Sequence, residues 1–230
     1  MEQSTRTEWI LGVIVILLTG LLSTCYSYAE NKKEPLCTVV VDAGHGGYDP
    51  GKVAVNDALE KDINLIIAGY LKECLGKENI EVIMTRTTDT DFRDAGSNYK
   101  KTKDLQLRCE IIETANADYC ISIHQNSFTD SNVKGAQVFY YSASKDGEQL
   151  ARSMQNSLIN NLDKDNTRVA KANDDYYMLV NSHCPAVIVE CGFLSNREEA
   201  AKLCDSEYQK KMAQAICSGF MDYLKVIENE

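Results

Sequence analysis

Cys37 to Gly51 reads CTVVVDAGHGGYDPG: a β-branched run that breaks into a glycine-rich loop carrying one histidine. Ile63, Ile66, Ile67, Tyr70, Leu71 and Cys74 then recur at helical spacing, so the order is strand, loop, helix. Downstream the alternation continues. Strands are predicted over 80–85 (IEVIMT), 119–124 (YCISIH), 136–141 and 186–190 (AVIVE), with a weaker one over 176–180. Helices are predicted over 105–117, 147–162, 196–204 and 208–226, with Asn196 as an N-cap. Strands alternating with helices, several of them apolar on both faces, predict one α/β domain: a mostly parallel twisted sheet covered by helices on both faces. In such sheets, sites gather beyond the carboxyl ends of the strands.

The 230 residues suffice for one substantial core, and no Gly/Ser/Pro-rich linker divides them. A net charge of −10 argues against phosphate-backbone attraction, so no nucleic-acid partner is expected. Nine cysteines are many, yet the length does not suit a disulfide-stapled miniature. They point either to buried thiols in a reducing setting or to disulfides whose pairing sequence does not give.

The uncharged run from Trp9 to Ala29 is 21 residues, enough for a bilayer crossing, which takes roughly 20. It also ends in Ser27-Tyr28-Ala29, which suits a signal-peptide cleavage site, and Leu22-Ser23-Thr24-Cys25 permits a third reading as a lipidation box. Residues 1–29 are therefore expected to be a signal peptide or membrane anchor, residues 36–228 an exported domain. The polar stretch from Thr87 to Lys103 reads either as a substrate-contacting excursion or as a solvated loop.

Two of the three histidines stand where strands run out: His45 after the first, His124 at the end of YCISIH. Glu60 opens the helix after the first loop, and Glu190 ends AVIVE. A lone histidine at a strand end is usually a hydrogen-bonded structural residue. Two imidazoles and a carboxylate with a fourth position open are nevertheless the ligand set of a catalytic zinc, and the remaining carboxylate is then available as a base. The loop is no phosphate cradle, because GxxxxGK[ST] and GxGxxG are both absent, and HExxH is absent too.

Four motifs, VVVDAGHGGYDPG, LEKDINL, SIHQN and PAVIVECGFLSN, resemble in order the zinc-dependent N-acetylmuramoyl-L-alanine amidases of class 3, from Val39 to Asn196. DTDF, the segment KDLQLRCEIIETANADYCISIHQN and the GAQVFYY strand are most similar to the germination-specific, spore-cortex branch. The resemblance implies one zinc ion on His45, Glu60 and His124, with Glu190 as the catalytic carboxylate. It implies hydrolysis of the amide between the lactyl group of N-acetylmuramic acid and L-alanine in peptidoglycan, preparing muramic lactam in cortex. It also implies an exported activating protein as a partner. Ala43, Gln125 and Cys191 depart from the usual family residues. Cys191 is an alternative nucleophile in principle, but on a strand it faces away from Glu190. Asp42 is expected as an acceptor for an imidazole N–H, Arg86 and Arg108 in ion pairs or on substrate, Asn126 at a turn or on a ligand, and His183 on a surface loop. Rival readings are another zinc hydrolase of cell-wall material, a peptidase or deacetylase, and a non-catalytic envelope-binding module.

Overall fold

A computed structural model describes residues 34–92 and 101–229, together with residues 14, 17 and 19. The chain divides into two units, Met1–Pro35 and Leu36–Glu230. The expected leader at 1–29 lies outside the described residues apart from Ile14, Leu17 and Thr19, which are helical. No helix among the described residues is long and apolar enough to cross a membrane.

The second unit is a six-stranded sheet with helices on both faces. Its strands are β1 (Thr38–Ala43), β2 (Glu81–Met84), β3 (Tyr119–Asn126), β4 (Gln137–Tyr140), β5 (Lys171–Ala172) and β6 (Ala186–Phe193). They lie in the order β2-β1-β3-β6-β4-β5. The first four are parallel, whereas β4 runs antiparallel to β6 and carries β5 beside it. The helices are α1 (Glu60–Lys77), α2 (Lys101–Thr114), α3 (Lys145–Asn161), α4 (Tyr177–Asn181), α5 (Arg197–Leu203) and α6 (Ser206–Ile227).

Strand alternation sorts the core into two layers. Val39, Val41, Ile121, Ile123, Val187 and Val189 pack under α1, α3 and α6. Val40, Cys120, Ala186 and Ile188 pack with Ile112 of α2 and with Met178 and Leu179 of α4. Following the second face toward the strand ends brings Asp42, Ser122, His124 and Glu190 to one side of the sheet. The two catalytic candidates on strands therefore share a face because their residue numbers share parity with that apolar set. Cys191, one residue on, is fully buried in the opposite layer.

Asn196 caps α5, its side chain accepting from the N–H groups of Glu198 and Glu199. Residues 176–180 depart from expectation: they enter the short helix α4 instead of a strand. Asn173 Oδ1 accepts from the N–H groups of Asp175 and Tyr176, both at 2.9 Å, and that turn launches the helix. A short apolar run alone does not distinguish the two conformations. The cysteines from Cys37 to Cys217 are all free thiols.

Candidate functional site

Three segments meet at the carboxyl edge. His45 stands two residues past β1, Glu60 is the first residue of α1, and His124 lies near the end of β3. His45 adopts φ 62°, a left-handed backbone that costs a non-glycine residue about 1–2 kcal/mol. The loop is held from several sides. Gly46 and Asp49 exchange main-chain bonds at 3.0 Å, Arg86 donates to the oxygens of Ala43 and Gly44, and Arg108 donates to those of Ala43 and His45. Both arginines are engaged by groups of the protein itself, although Arg108 also lines the cavity. Arg108 pairs with Asp42 and Asp104, while Arg86 bonds to main-chain oxygens.

The glycines act through space as well as through φ. A Cβ on Gly44 would fall 2.2 Å from Nε2 of His124, and one on Gly51, at φ 69°, would fall 2.5 Å from Oε2 of Glu60. The imidazole and the carboxylate occupy room that side chains at these positions would fill.

Glu60 lies between the two rings. Its Oε1 is 3.2 Å from His45 Nε2 and 3.0 Å from His124 Nδ1, and the three residues offer ligand atoms all within 4.8 Å of one another. Metal–ligand bonds of about 2.0–2.2 Å at tetrahedral angles set donor atoms roughly 3.3–3.6 Å apart, close to the distances from Glu60 to the two rings, so the donor set fits a zinc ion. Main-chain N–H groups of Gln125 and Lys52 donate to Oε1 and Oε2 of Glu60 at 3.0 and 2.8 Å, which fixes the carboxylate plane. Burial disfavours the charge on Glu60, but His124 and His45 outweigh it and hold the carboxyl well below its usual range. Burial likewise opposes a charged His45, yet Asp49 and Glu60 raise its pKa to about 9.

Asp49 escaped sequence reasoning. Its Oδ2 lies 2.8 Å from Nδ1 of His45, which leaves Nε2 of that ring turned to Glu60. Carboxylates commonly orient metal-binding histidines this way. The signal for it was its place four residues after a histidine within one tight loop. Asp42 is not the imidazole acceptor that was expected. Its oxygens are taken by Arg108, Ser122 and Thr85 at 2.5, 2.5 and 2.7 Å, because β1 carries it beneath the loop and into the α2 layer.

Glu190 faces His124 across the ladder, in register on the adjacent parallel strand. It is 7% exposed, burial pushes its carboxyl pKa up, and its Oε2 has no hydrogen-bond partner. Tyr176 Oη donates to the other oxygen at 3.4 Å. All four residues line a cavity of about 470 Å³, shared with Asp49, Asn126 and Tyr176. Asn126 accepts the N–H of Ser127 through its side chain, the turn role. His183 is exposed and outside the cavity lining. Cys191 is fully buried in the opposite layer and outside the cavity lining, and burial raises its thiol pKa, the setting of an inert structural cysteine. Residues 93–100 of the polar excursion lie outside the described residues, although Lys101 lines the cavity.

Residues 39–222 match the sequence profile of N-acetylmuramoyl-L-alanine amidases. The chain belongs to that amidase family. Among its relatives, the germination-specific N-acetylmuramoyl-L-alanine amidase of Bacillus subtilis is 35% identical, over 94% of this chain and 93% of that one. The CwlD amidase of Clostridioides difficile, solved in complex with the GerS lipoprotein, is 40% identical with a TM-score of 0.80, covering 83% of this chain and 99% of that one. The amidase AmiC2 of Nostoc punctiforme is 33% identical with a TM-score of 0.73, covering 84% and 99%. The amidase fold thus extends through both core layers and includes every strand that carries a site residue.

Proposed function

We propose that this amidase is zinc-dependent, that His45, Glu60 and His124 hold the one ion, and that Glu190 is the catalytic carboxylate. The observation that carries the reading is the convergence of those three donors within 4.8 Å beside a buried carboxylate with one unpartnered oxygen. When bound, zinc supplies a Lewis acid that brings the pKa of water toward about 7 and polarises a carbonyl.

The substrate is peptidoglycan, and the bond is the amide between the lactyl carbonyl of N-acetylmuramic acid and the amino group of L-alanine. Hydrolysis adds water across that C–N bond and releases a lactyl carboxylate and a free stem-peptide amine. Glu190 takes the proton from the attacking water and passes it to the leaving nitrogen. Burial raises its carboxyl pKa, the direction that suits a group that must both accept and donate a proton. Glu60 is held by main-chain donors and His45 by Asp49, so the protein itself sets the orientation of these two side chains.

The similarity to the germination-specific relative supports a role in spore cortex, stripping stem peptides so that muramic lactam can form. Residues 1–29 serve as signal peptide or membrane anchor for export, and residues 36–228 are the catalytic domain. The relative solved with a lipoprotein supports an exported protein partner here as well. The direct test is mass spectrometry of muropeptides treated with the zinc-loaded protein. Release of stem peptides with a free L-alanine amine is expected, lost in Glu190→Gln with zinc still bound. New D-amino-acid termini or free acetate in its place would assign the chain to another hydrolase class.

A further inference from the structure

The oxygens of Glu190 are not equivalent. Oε2 is buried with no hydrogen-bond partner, whereas Oε1 lies 3.4 Å from the hydroxyl of Tyr176. A glutamate's terminal torsion is broad and two-fold, so an unheld carboxylate exchanges its oxygens freely. One donor on one side removes that equivalence.

Tyr176 is placed to be that donor. Its N–H is bound by Asn173 Oδ1 at 2.9 Å, and Asn173 is itself tied by its N–H to the oxygen of Tyr140 at the end of β4. The ring packs edge-on against Phe139 of the same strand, with centroids 5.6 Å apart. The backbone and the ring are thus both referred to β4, the antiparallel neighbour of the strand that carries Glu190. Burial, with Glu190 beside it, pushes the phenol pKa upward, so the group keeps its proton and acts as a donor. The separation is long for an O–H···O bond, as catalytic hydrogen bonds often are without substrate.

We propose that Tyr176 is a positioning residue for the hydrolysis: its hydroxyl holds Oε1 of Glu190 and so sets the rotation of the carboxylate. The proposal rests on the reading of Glu190 as the proton carrier.

The test uses the full-length, zinc-loaded protein and steady-state hydrolysis of muropeptides by wild type, Tyr176→Phe, Tyr176→Ala and Glu190→Gln. Phenylalanine keeps the packing on Phe139 and removes only the hydroxyl. Its kcat should fall roughly tenfold, as loss of a hydrogen bond to a charged group does, with KM, zinc content and melting temperature unchanged. Alanine should lower kcat and the melting temperature together, which separates the ring's structural part from the hydroxyl. Wild-type kcat in Tyr176→Phe overturns the proposal. So does a raised KM at unchanged kcat, which would make Tyr176 a substrate contact. Full activity in Glu190→Gln would instead remove the underlying reading, whereas an inactive Glu190→Gln beside a fully active Tyr176→Phe removes only the positioning role.

Discussion

The guanidinium of Arg108 donates to the main-chain oxygen of His45 at 2.7 Å while its other nitrogens bind Asp42, Asp104 and the oxygen of Ala43. One side chain from α2 therefore fixes a left-handed residue in the loop after β1. Arg108→Met leaves Asp42 buried without its cation, and breaking a buried pair costs about 3–5 kcal/mol. Denaturant unfolding should show a loss of that order, and zinc titration a weaker affinity. Wild-type values for both would mean that the loop holds His45 unaided.

Asp49→Asn tests the orientation of the same ring from the other side. The change keeps the shape and removes the charge that faces Nδ1 of His45. Loss of such a partner typically lowers metal affinity about 10–100-fold. Competition with a chelating dye should record that drop at an unchanged melting temperature, and unchanged affinity would show that the ring needs no carboxylate.

Gly44→Ala puts a methyl group where the His124 ring lies, 2.2 Å from Nε2. The ring must swing away, so zinc stoichiometry and activity should both collapse. Far-UV circular dichroism should stay that of the parent, since the strain is confined to the loop. Retention of one zinc per chain would show that His124 has another usable rotamer.

Acid should unfold the protein partly through Asp42. Burial alone would raise its pKa, but Arg108, Ser122 and Thr85 prevail and bring it from 3.8 to about 2. A folded value below the unfolded one means stability that is complete above about pH 4 and disappears as pH falls toward 2, on the order of 2 kcal/mol. Urea unfolding across that window should show the slope in the parent and a shallower one in Asp42→Asn. Equal slopes would place the acid sensitivity on other carboxyls.

The sequence made β1, its loop and α1 readable because β-branched residues, glycines and a helical stripe follow one another without ambiguity. His45, Glu60, His124 and Glu190 stood out because each ends a strand or opens a helix, and the structure brings all four to one cavity. The Tyr176 wall was not readable. YYMLV suits a strand or a helix equally, and the Asn173 turn that decides it depends on where β4 ends. Nor does alternation in QVFY report strand direction, so the antiparallel β4 emerged only from its pairing with β6. Asp42 was misassigned for a related reason: its neighbours are Arg108 and Ser122, 66 and 80 residues away in the chain.

The last strand in the chain, β6, is seated inside the sheet between β3 and β4. A nascent polypeptide that has not yet delivered residues 186–193 leaves the edge of β3 open, with His124 on it and no Glu190 opposite. Pairings of such long sequence separation form late and slowly. Until β6 is seated, position 190 has no place opposite His124, and the unfinished β3 edge presents unpaired main-chain groups.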